Sequence, residues 1–518
     1  MLINVYGAKC IGIDAVKVTV EVNIDRGIGI HLVGLADVAV KESLLRTTTA
    51  LQSLGFRIPG KKIVINLAPA DLHKSGSGYD LPIAVGIIAA SEQKTLPGVD
   101  KYIMMGELGL DGQLRPVPGA LPLSEMARDG GFRGIILPEE SALEASELKD
   151  IMVYGVKNLG DVMRILEERE GCEDLEVWNL KIFRDAVASA LHPEDGGAQV
   201  DFEDIIGQQG AKRAMEIAAA GGHNVILIGA PGSGKSSLAK ALPGIMPPMT
   251  TEEASVTSRI YSIAGRSLGT AGLMRSRPYR APHYSATLAA IVGGGSGDAI
   301  VPGEVSLAHN GVLFLDEFGQ MPRSVIEALR APMEDRSVCI SRLRTKVTFP
   351  ASFMLVAASN PCPCGYWGEG DRCTCTPSQR LNYLSKLSGP VMDRIDLQCW
   401  MHTVDSGKII GSKKGEPSSA VAARVLKARV IQQKRFEGEG IGCNAQMDNR
   451  QIGRFCPLDE ACTQTLQTLL SRTGLSLRAY FRIIKVARTI ADLEGAEHIL
   501  PAHIMEAAGF RFLDKRLE

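Results

Sequence analysis

Neither sign of charge dominates this chain: 57 Lys and Arg stand against 58 Asp and Glu, a formal net charge of −1. Any contact with nucleic acid must come from local patches, because no global field draws a polyanion in. Long hydrophobic runs are missing too. The most apolar stretch, Leu81 to Ala90, is too short to span a bilayer. The opening residues, Met1-Leu2-Ile3-Asn4-Val5-Tyr6, have neither a basic n-region nor a long apolar h-region, so no signal peptide is legible. The 11 cysteines are odd in number and mostly scattered, which argues against a disulfide framework. They fit free or metal-bound thiols in a reducing compartment, and a cytoplasmic protein is expected. Carboxylates are absent from the whole stretch between Glu253 and Asp298.

At 518 residues the chain is too long for one core, and two to four domains are expected. Its organising stretch is Gly229-Ala230-Pro231-Gly232-Ser233-Gly234-Lys235-Ser236, a G-x-x-x-x-G-K-S phosphate loop. An apolar strand, Val225 to Ile228, precedes it, and a helix-prone run, Ser237 to Leu242, follows. The glycines let successive backbone N–H groups turn toward phosphate oxygens. Lys235 is placed to reach the β- and γ-phosphates, and the Ser236 hydroxyl to bind Mg²⁺. A second apolar strand, Gly311 to Leu315, ends in Asp316-Glu317. In that Walker B pattern Asp316 holds Mg²⁺ through water and Glu317 polarises the attacking water.

Upstream, Val16, Val18, Val20, Val22 and Ile24 alternate with polar residues as a half-buried strand. Val40, Leu44, Leu51 and Leu54 recur at helical spacing, Lys62 to Leu67 alternates again, and a helix is expected over Tyr79 to Ala90. Strand-like pieces follow at Tyr102 to Met105 and Gly134 to Leu137. This mixture predicts an α+β domain over 1–170, and the polar, turn-rich stretch 171–198 reads as a linker. The nucleotide-binding core is expected over 199–410 and an almost wholly helical domain over 411–518. The fold class is therefore α/β multidomain.

Five arginines, 259, 266, 275, 277 and 280, with His283, occupy the carboxylate-free stretch. Phosphate binding, with Arg277 and Arg280 as DNA contacts, and pairing with distant acids explain such a set equally well on charge alone. Val338 to Phe349 alternates as a hairpin, with Arg342, Arg344 and Lys346 near its tip. Cys362-Pro363-Cys364 and Cys373-Thr374-Cys375 are two close thiol pairs around a Gly-rich loop, 362–375. Structural Zn²⁺ is the favoured reading over a metal-free cluster, although C-x-C is tighter than the usual ligand spacing. No open coordination position suggests a catalytic ion.

Several segments resemble known families. Phe202 to Gln208, with Ile206 and Gly207, is similar to the box that packs on adenine in AAA+ ATPases. The strand Met354 to Ala358 ends at Ser359-Asn360, where those proteins carry a sensor residue that aligns water with the γ-phosphate. Ser388 to Asp396 resembles the segment bearing the arginine finger, which implies that Arg394 serves a neighbouring subunit's ATP. Arg478 falls where the helical lid of such proteins carries a second sensor arginine, with Arg482 and Arg488 as lesser candidates. The hairpin falls where related ring motors line a pore and touch nucleic acid. Ser75 to Ala84 and Gly112 to Leu121 resemble the segments carrying the serine–lysine dyad of Lon-type proteases, with an S5-like fold implied. The dyad positions fall on Ile83 and Leu121, which cannot serve as nucleophile or base; Lys74 and Ser75 read as loop residues.

Arg277-Pro278-Tyr279-Arg280-Ala281-Pro282-His283, Pro302 to His309 and Asn360-Pro361-Cys362-Pro363-Cys364-Gly365 make the match specific. Over nearly its whole length the chain resembles the magnesium-chelatase-like ComM/YifB family. The resemblance implies a hexameric ring that uses ATP and Mg²⁺, acts on branched or single-stranded DNA, and drives branch migration in natural transformation. A chelatase motor subunit and an ATP-switched regulatory adaptor are the alternative readings.

Overall fold

The structure, a computed structural model, describes residues 2–35, 37–191, 200–295, 300–341, 346–386, 391–403, 414–473 and 476–514. The first strands follow from alternation: Val18, Val20 and Val22 are buried, while Lys17 and Asp25 on the same strand are exposed. Seven strands form one sheet: β1 (Leu2–Ile11), β2 (Asp14–Asp25), β3 (Gly29–Val33), β4 (Lys62–Ala68), β5 (Tyr102–Met104), β6 (Gly134–Pro138) and β7 (Met152–Val156). Their order is β3-β4-β2-β1-β5-β6-β7. The β2 strand runs antiparallel to β1 and β4, and β1, β5, β6 and β7 are parallel to one another.

The helix Asp80–Ala90 is buried along its entire length, against β1, β2 and the helix Val38–Ser53. An all-round apolar helix belongs in an interior. Its one charge, Asp80, takes two hydrogen bonds from Arg46 (2.9 and 3.1 Å) and one from Leu108 N. Ile83 is buried in the apolar core, and Leu121 is also buried. Lys74 lies in a loop but is buried, with Nζ bonded to Pro69 O; burial lowers its pKa.

The stretch 171–198, expected as a linker, is folded as far as Leu191. Two 3₁₀ turns and the helix Lys181–Leu191 lie in it, and Leu175, Val177 and Leu180 are buried in the first domain's core. Polar composition masked those few apolar residues, which cover one edge of the core.

A second sheet contains β8 (Val225–Gly229), β9 (Tyr279–Arg280), β10 (Val312–Leu315), β11 (Met354–Ser359) and β12 (Leu397–Met401), in the order β9-β10-β11-β8-β12. All four pairings are parallel. The strands β8, β10 and β11 are buried at every position, as a parallel sheet covered on both faces requires. Alternate residues divide between two cores. Val225, Leu227 and Val356 join Val421, Val425, Ile483 and Ile490 of the helical C-terminal region. Ile226, Ile228 and Leu355 join Val338 and Phe349 of the hairpin Ser337–Ser341/Lys346–Pro350. The C-terminal region is helical: Ser418–Arg435, Asn449–Phe455, Glu460–Thr473, Leu477–Glu494 and Pro501–Gly509. Parallel sheet and helical C-terminus together form an AAA+-like fold. Among the described residues, no helix is long and apolar enough to cross a membrane.

Candidate functional site

The phosphate loop leaves the sheet where β8 and β12 approach most closely. A Cβ on Gly229 would lie 2.3 Å from Met401 O, so only glycine fits. Lys235 opens the helix Lys235–Ala241, and its Nζ donates to Gly229 O (2.7 Å) and Ala230 O (3.0 Å). Burial lowers its pKa, with Asp316 opposing. Ser236 Oγ donates to Asp316 Oδ2 at 3.1 Å. Asp316 Oδ1 accepts from Glu317 N at 2.8 Å, across a turn that holds Glu317 at φ 49°. A non-glycine residue in the left-handed region is uncommon, and strain of this kind concentrates at functional sites. Ser233 Oγ is buried without a hydrogen-bond partner.

Asn360 follows β11, whose Ser359 pairs with Ile228 of β8, so the expected sensor residue stands level with the phosphate loop. Of the expected adenine box, Ile205 is buried, Ile206 is half-buried, and Gly207 is exposed. Two residues near the loop escape sequence reasoning. Gln208 Nε2 donates to Ser233 O (3.0 Å) and His402 O (2.6 Å), tying the box to the loop. Tyr383, from the helix Pro377–Lys386, is pushed up in pKa by burial, is hydrogen-bonded to Ser359, and feels the charge of Cys362 and Glu317. Position after Gly207 is a weak signal for Gln208; nothing in the sequence marks Tyr383.

The loop's residues fit a magnesium–nucleotide. A hydroxyl and a carboxylate converge within hydrogen-bond reach, a lysine is held by carbonyls alone, and one buried hydroxyl lacks a partner.

Arg394 and Arg478 lie elsewhere. Arg394 ends a 3₁₀ turn before β12, and Leu397 of β12 pairs with Val225, at the entry end of β8. The phosphate loop is at the exit end, about 13 Å along the strand at some 3.3 Å per residue. Arg394 is buried and paired with Glu334. The expectation of an arginine exposed at an edge is thus not what this chain presents at Arg394. Arg478 is 65% exposed and pairs with Asp393 at 2.7 Å, so it shares the Arg394 end of the sheet. Arg482 bonds Asp396 and Arg394 O, whereas Arg488 is buried on Asp492 and the carbonyls of Ala496 and Glu497. Asp396 is desolvated, which alone would raise its pKa, but Arg482 and His223 hold it well below the usual carboxylate range. A cavity of about 330 Å³ opens here, lined by Asn224, Arg277, Arg336, Arg394, Arg482 and Lys485 among others. Residues 388–390, part of the expected finger segment, lie outside the described residues.

Acids lie against the arginine-rich stretch. Arg277 donates to Pro247 O, Asn310 O (2.6 Å) and Glu253 (3.1 Å), and Arg280 makes a two-pronged pair with Glu304 (2.6 and 2.8 Å). Arg259 pairs with Asp14 and Glu125, and Arg275 with Glu147, all in the first domain. Acids outside the carboxylate-free stretch meet these guanidinium groups, so pairing with acids is what Arg277 and Arg280 show in this chain. Lys346 is exposed and pairs with Ser341 at the turn end of the hairpin, as expected, while Arg342 and Arg344 lie outside the described residues.

The four cysteines of the insert come together. Cys362 Sγ lies 3.3 Å from Cys364 Sγ and 3.8 Å from Cys373 Sγ; Cys364 Sγ lies 3.7 Å from Cys373 Sγ, and Cys364 N donates to Cys375 Sγ. Backbone N–H donation from Tyr366 brings the Cys364 thiol down to about 6, while burial pushes Cys362 up to about 12.

Comparisons with known proteins agree with this layout. Residues 201–409 match the model of the magnesium chelatase, subunit ChlI; residues 20–141 match subunit ChlI of Mg-chelatase, and 415–511 its C-terminal part. The chain is 42% identical over 515 residues to the YifB protein of Salmonella typhimurium, spanning 99% of this chain and 97% of that one. It is 42% identical over 516 residues to competence protein ComM of Haemophilus influenzae, spanning 99% and 98%. A shorter match, 29% over 175 residues, covers 34% of this chain and 18% of the DNA replication licensing factor mcm-6 of Caenorhabditis briggsae. Similarity of that extent, at both ends as well as through the nucleotide site, shows the family: the chain belongs to the magnesium-chelatase-like ComM/YifB proteins.

Proposed function

We propose that the protein is an ATP-hydrolysing ring motor that acts on DNA, with branch migration during uptake and recombination as its task. One observation carries the motor reading. Ser236, Asp316, Glu317 and Asn360 gather at the exit ends of adjacent parallel strands, whereas Arg394 and Arg478 stand at the entry end. One chain therefore carries both halves of an ATPase site but does not join them; a neighbouring copy in a ring would. Hexameric assembly and DNA as the substrate rest on the family, and similarity to a competence protein and to a DNA replication licensing factor supports DNA.

In this reading Lys235 leaves its two carbonyl partners for the β- and γ-phosphates, and Ser233 Oγ gains the acceptor it lacks. Ser236 and Asp316 would hold Mg²⁺, which would supply positive charge against the phosphoryl oxygens. Glu317 orients the water for in-line attack, and Asn360 fixes its direction. Arg394, released from Glu334, and Arg478, already exposed, then stabilise the transferring group from the next subunit. The first domain serves as scaffold, with Ile83 and Leu121 unable to run peptidase chemistry. Lys346 and the hairpin tip are the DNA contacts.

The test is the ATPase rate with and without branched DNA across a salt series. Stimulation that fades steeply with salt is expected, because phosphate contacts release counterions. The chelatase-subunit matches favour a second reading, an ATP-driven partner of porphyrin metal insertion. A rate indifferent to DNA at every salt concentration would favour that reading.

A further inference from the structure

We propose that Cys362, Cys364, Cys373 and Cys375 hold one Zn²⁺, and that this ion braces the phosphate loop through Gly365 and Pro231. Tetrahedral zinc with sulfur ligands at about 2.3 Å requires sulfurs about 3.8 Å apart. The observed 3.3, 3.7 and 3.8 Å separations cluster around that edge, and all four sulfurs lie within 4.8 Å of one another. The shortest is far beyond a disulfide bond of about 2.05 Å. Four thiolates around Zn²⁺ leave a net charge of −2, the four protons passing to solvent. Backbone N–H groups oppose that charge: Cys364 N points at Cys375 Sγ, Gly365 and Trp367 at Cys362, and Tyr366 and Thr374 at Cys364. Such N–H donation to ligating atoms is the outer shell that a metal site needs.

The ion's purpose follows from what the loop touches. Gly365 sits at φ +85°, and a Cβ there would lie 3.0 Å from Pro231 Cδ and 3.9 Å from Asn360 Cγ. The turn that leaves Cys364 therefore packs directly on the phosphate loop and beside the residue expected to align water. On its other side Trp367 meets Trp400 of β12 edge-on at 5.4 Å, and Glu369 accepts a hydrogen bond from Thr403 N at 2.9 Å. With Gly365, Gly368 and Gly370 all at positive φ, the turn has much backbone freedom to lose. Closing its base with a metal removes that freedom and fixes the wall of the nucleotide site.

The metal stands independently of the ATPase reading; the brace rests on it. Full-length protein purified without chelator should contain about one zinc per chain. After stripping, Co²⁺ should restore the visible spectrum of tetrahedral thiolate coordination, and Cys373→Ser with Cys375→Ser should abolish both. Wild-type protein that takes up neither ion while all four thiols titrate in the native state would overturn the site, as would iron in place of zinc. Gly365→Ala leaves every thiol intact. It should keep its zinc and weaken binding of a fluorescent ATP analogue about tenfold, or 1.4 kcal/mol. Unchanged affinity would overturn the brace, and wild-type protein that holds zinc but no nucleotide would sink the ATPase reading and the brace together.

Discussion

At the scale of single residues, the nucleotide site divides binding from chemistry. Lys235 is buried on carbonyls that a bound triphosphate would replace, whereas Glu317 stands one residue beyond Asp316, the carboxylate proposed to hold Mg²⁺. Lys235→Ala should lose tight ATP binding, and Glu317→Gln should bind ATP but turn over some 10²–10³ times more slowly, as when one preorganised polar group is removed from a catalytic site. Nucleotide-binding titrations beside steady-state rates check this, and parent-rate turnover by Glu317→Gln would reassign the role. A second residue reports on pH. His309 is buried and accepts from Ser352 N through Nδ1 at 3.0 Å, and burial lowers its pKa from 6.5 to about 4. Between those values the unfolded chain binds a proton that the folded one refuses, so stability rises with pH across the window. Falling from pH 6.5 to 4 should cost about 3 kcal/mol from this group alone. His309→Asn, whose amide oxygen still accepts from Ser352, should flatten that slope in urea melts run at several pH values; an unaltered slope would show that other groups set it.

At the scale of elements, one ion pair fastens two helices of the first domain. Arg46 reaches from Val38–Ser53 to Asp80, which opens the buried helix Asp80–Ala90. Burial raises the Asp80 pKa, and hydrogen bonds from Arg46 oppose the rise. Arg46→Met leaves that carboxyl buried without its ion pair, with the hydrogen bond from Leu108 N remaining. A loss of about 3 kcal/mol is expected. Asp80→Asn in the same background should recover part of it, since a neutral amide avoids burying an uncompensated charge. Denaturant midpoints of the single and double variants measure both, and additive losses would show that the pair is not coupled.

At the scale of the whole molecule, the separation of the two halves of the site predicts complementation. An Arg394→Ala, Arg478→Ala subunit keeps its own Ser236, Asp316 and Glu317, and a Lys235→Ala subunit keeps both arginines. Each should be inactive alone, the first by about 10³-fold with ATP binding retained. In mixed rings some interfaces pair the intact arginines of one with the intact loop of the other, and activity should return. Unimpaired hydrolysis by the double arginine variant would rule out the donated role. The pairing of Arg259 with Asp14 and Glu125 and of Arg275 with Glu147 also belongs to this scale: these ion pairs join the arginine-rich stretch to the N-terminal part of the chain.

By itself the sequence determined what short-range chemistry fixes. Glycine spacing and an apolar strand define the phosphate loop; Asp316-Glu317 at a strand end defines its partner; alternation marks β2 and β4; and helical spacing marks Val38–Ser53 and Asp80–Ala90. Each is a local pattern whose meaning does not depend on distant residues. Tertiary structure decided what depends on who lies opposite. On charge alone Arg277 and Arg280 fitted phosphate binding and pairing with distant acids equally well, and the structure sets Glu253 and Glu304 against them. The polar stretch after residue 170 proved to cover a core, Tyr383 came near the nucleotide site from a helix beyond the cysteine insert, and Arg394, expected at an exposed edge for a neighbouring subunit's ATP, proved to be buried against Glu334. Charge and apolar area are properties of pairs of surfaces, and a linear chain names only one member of each pair.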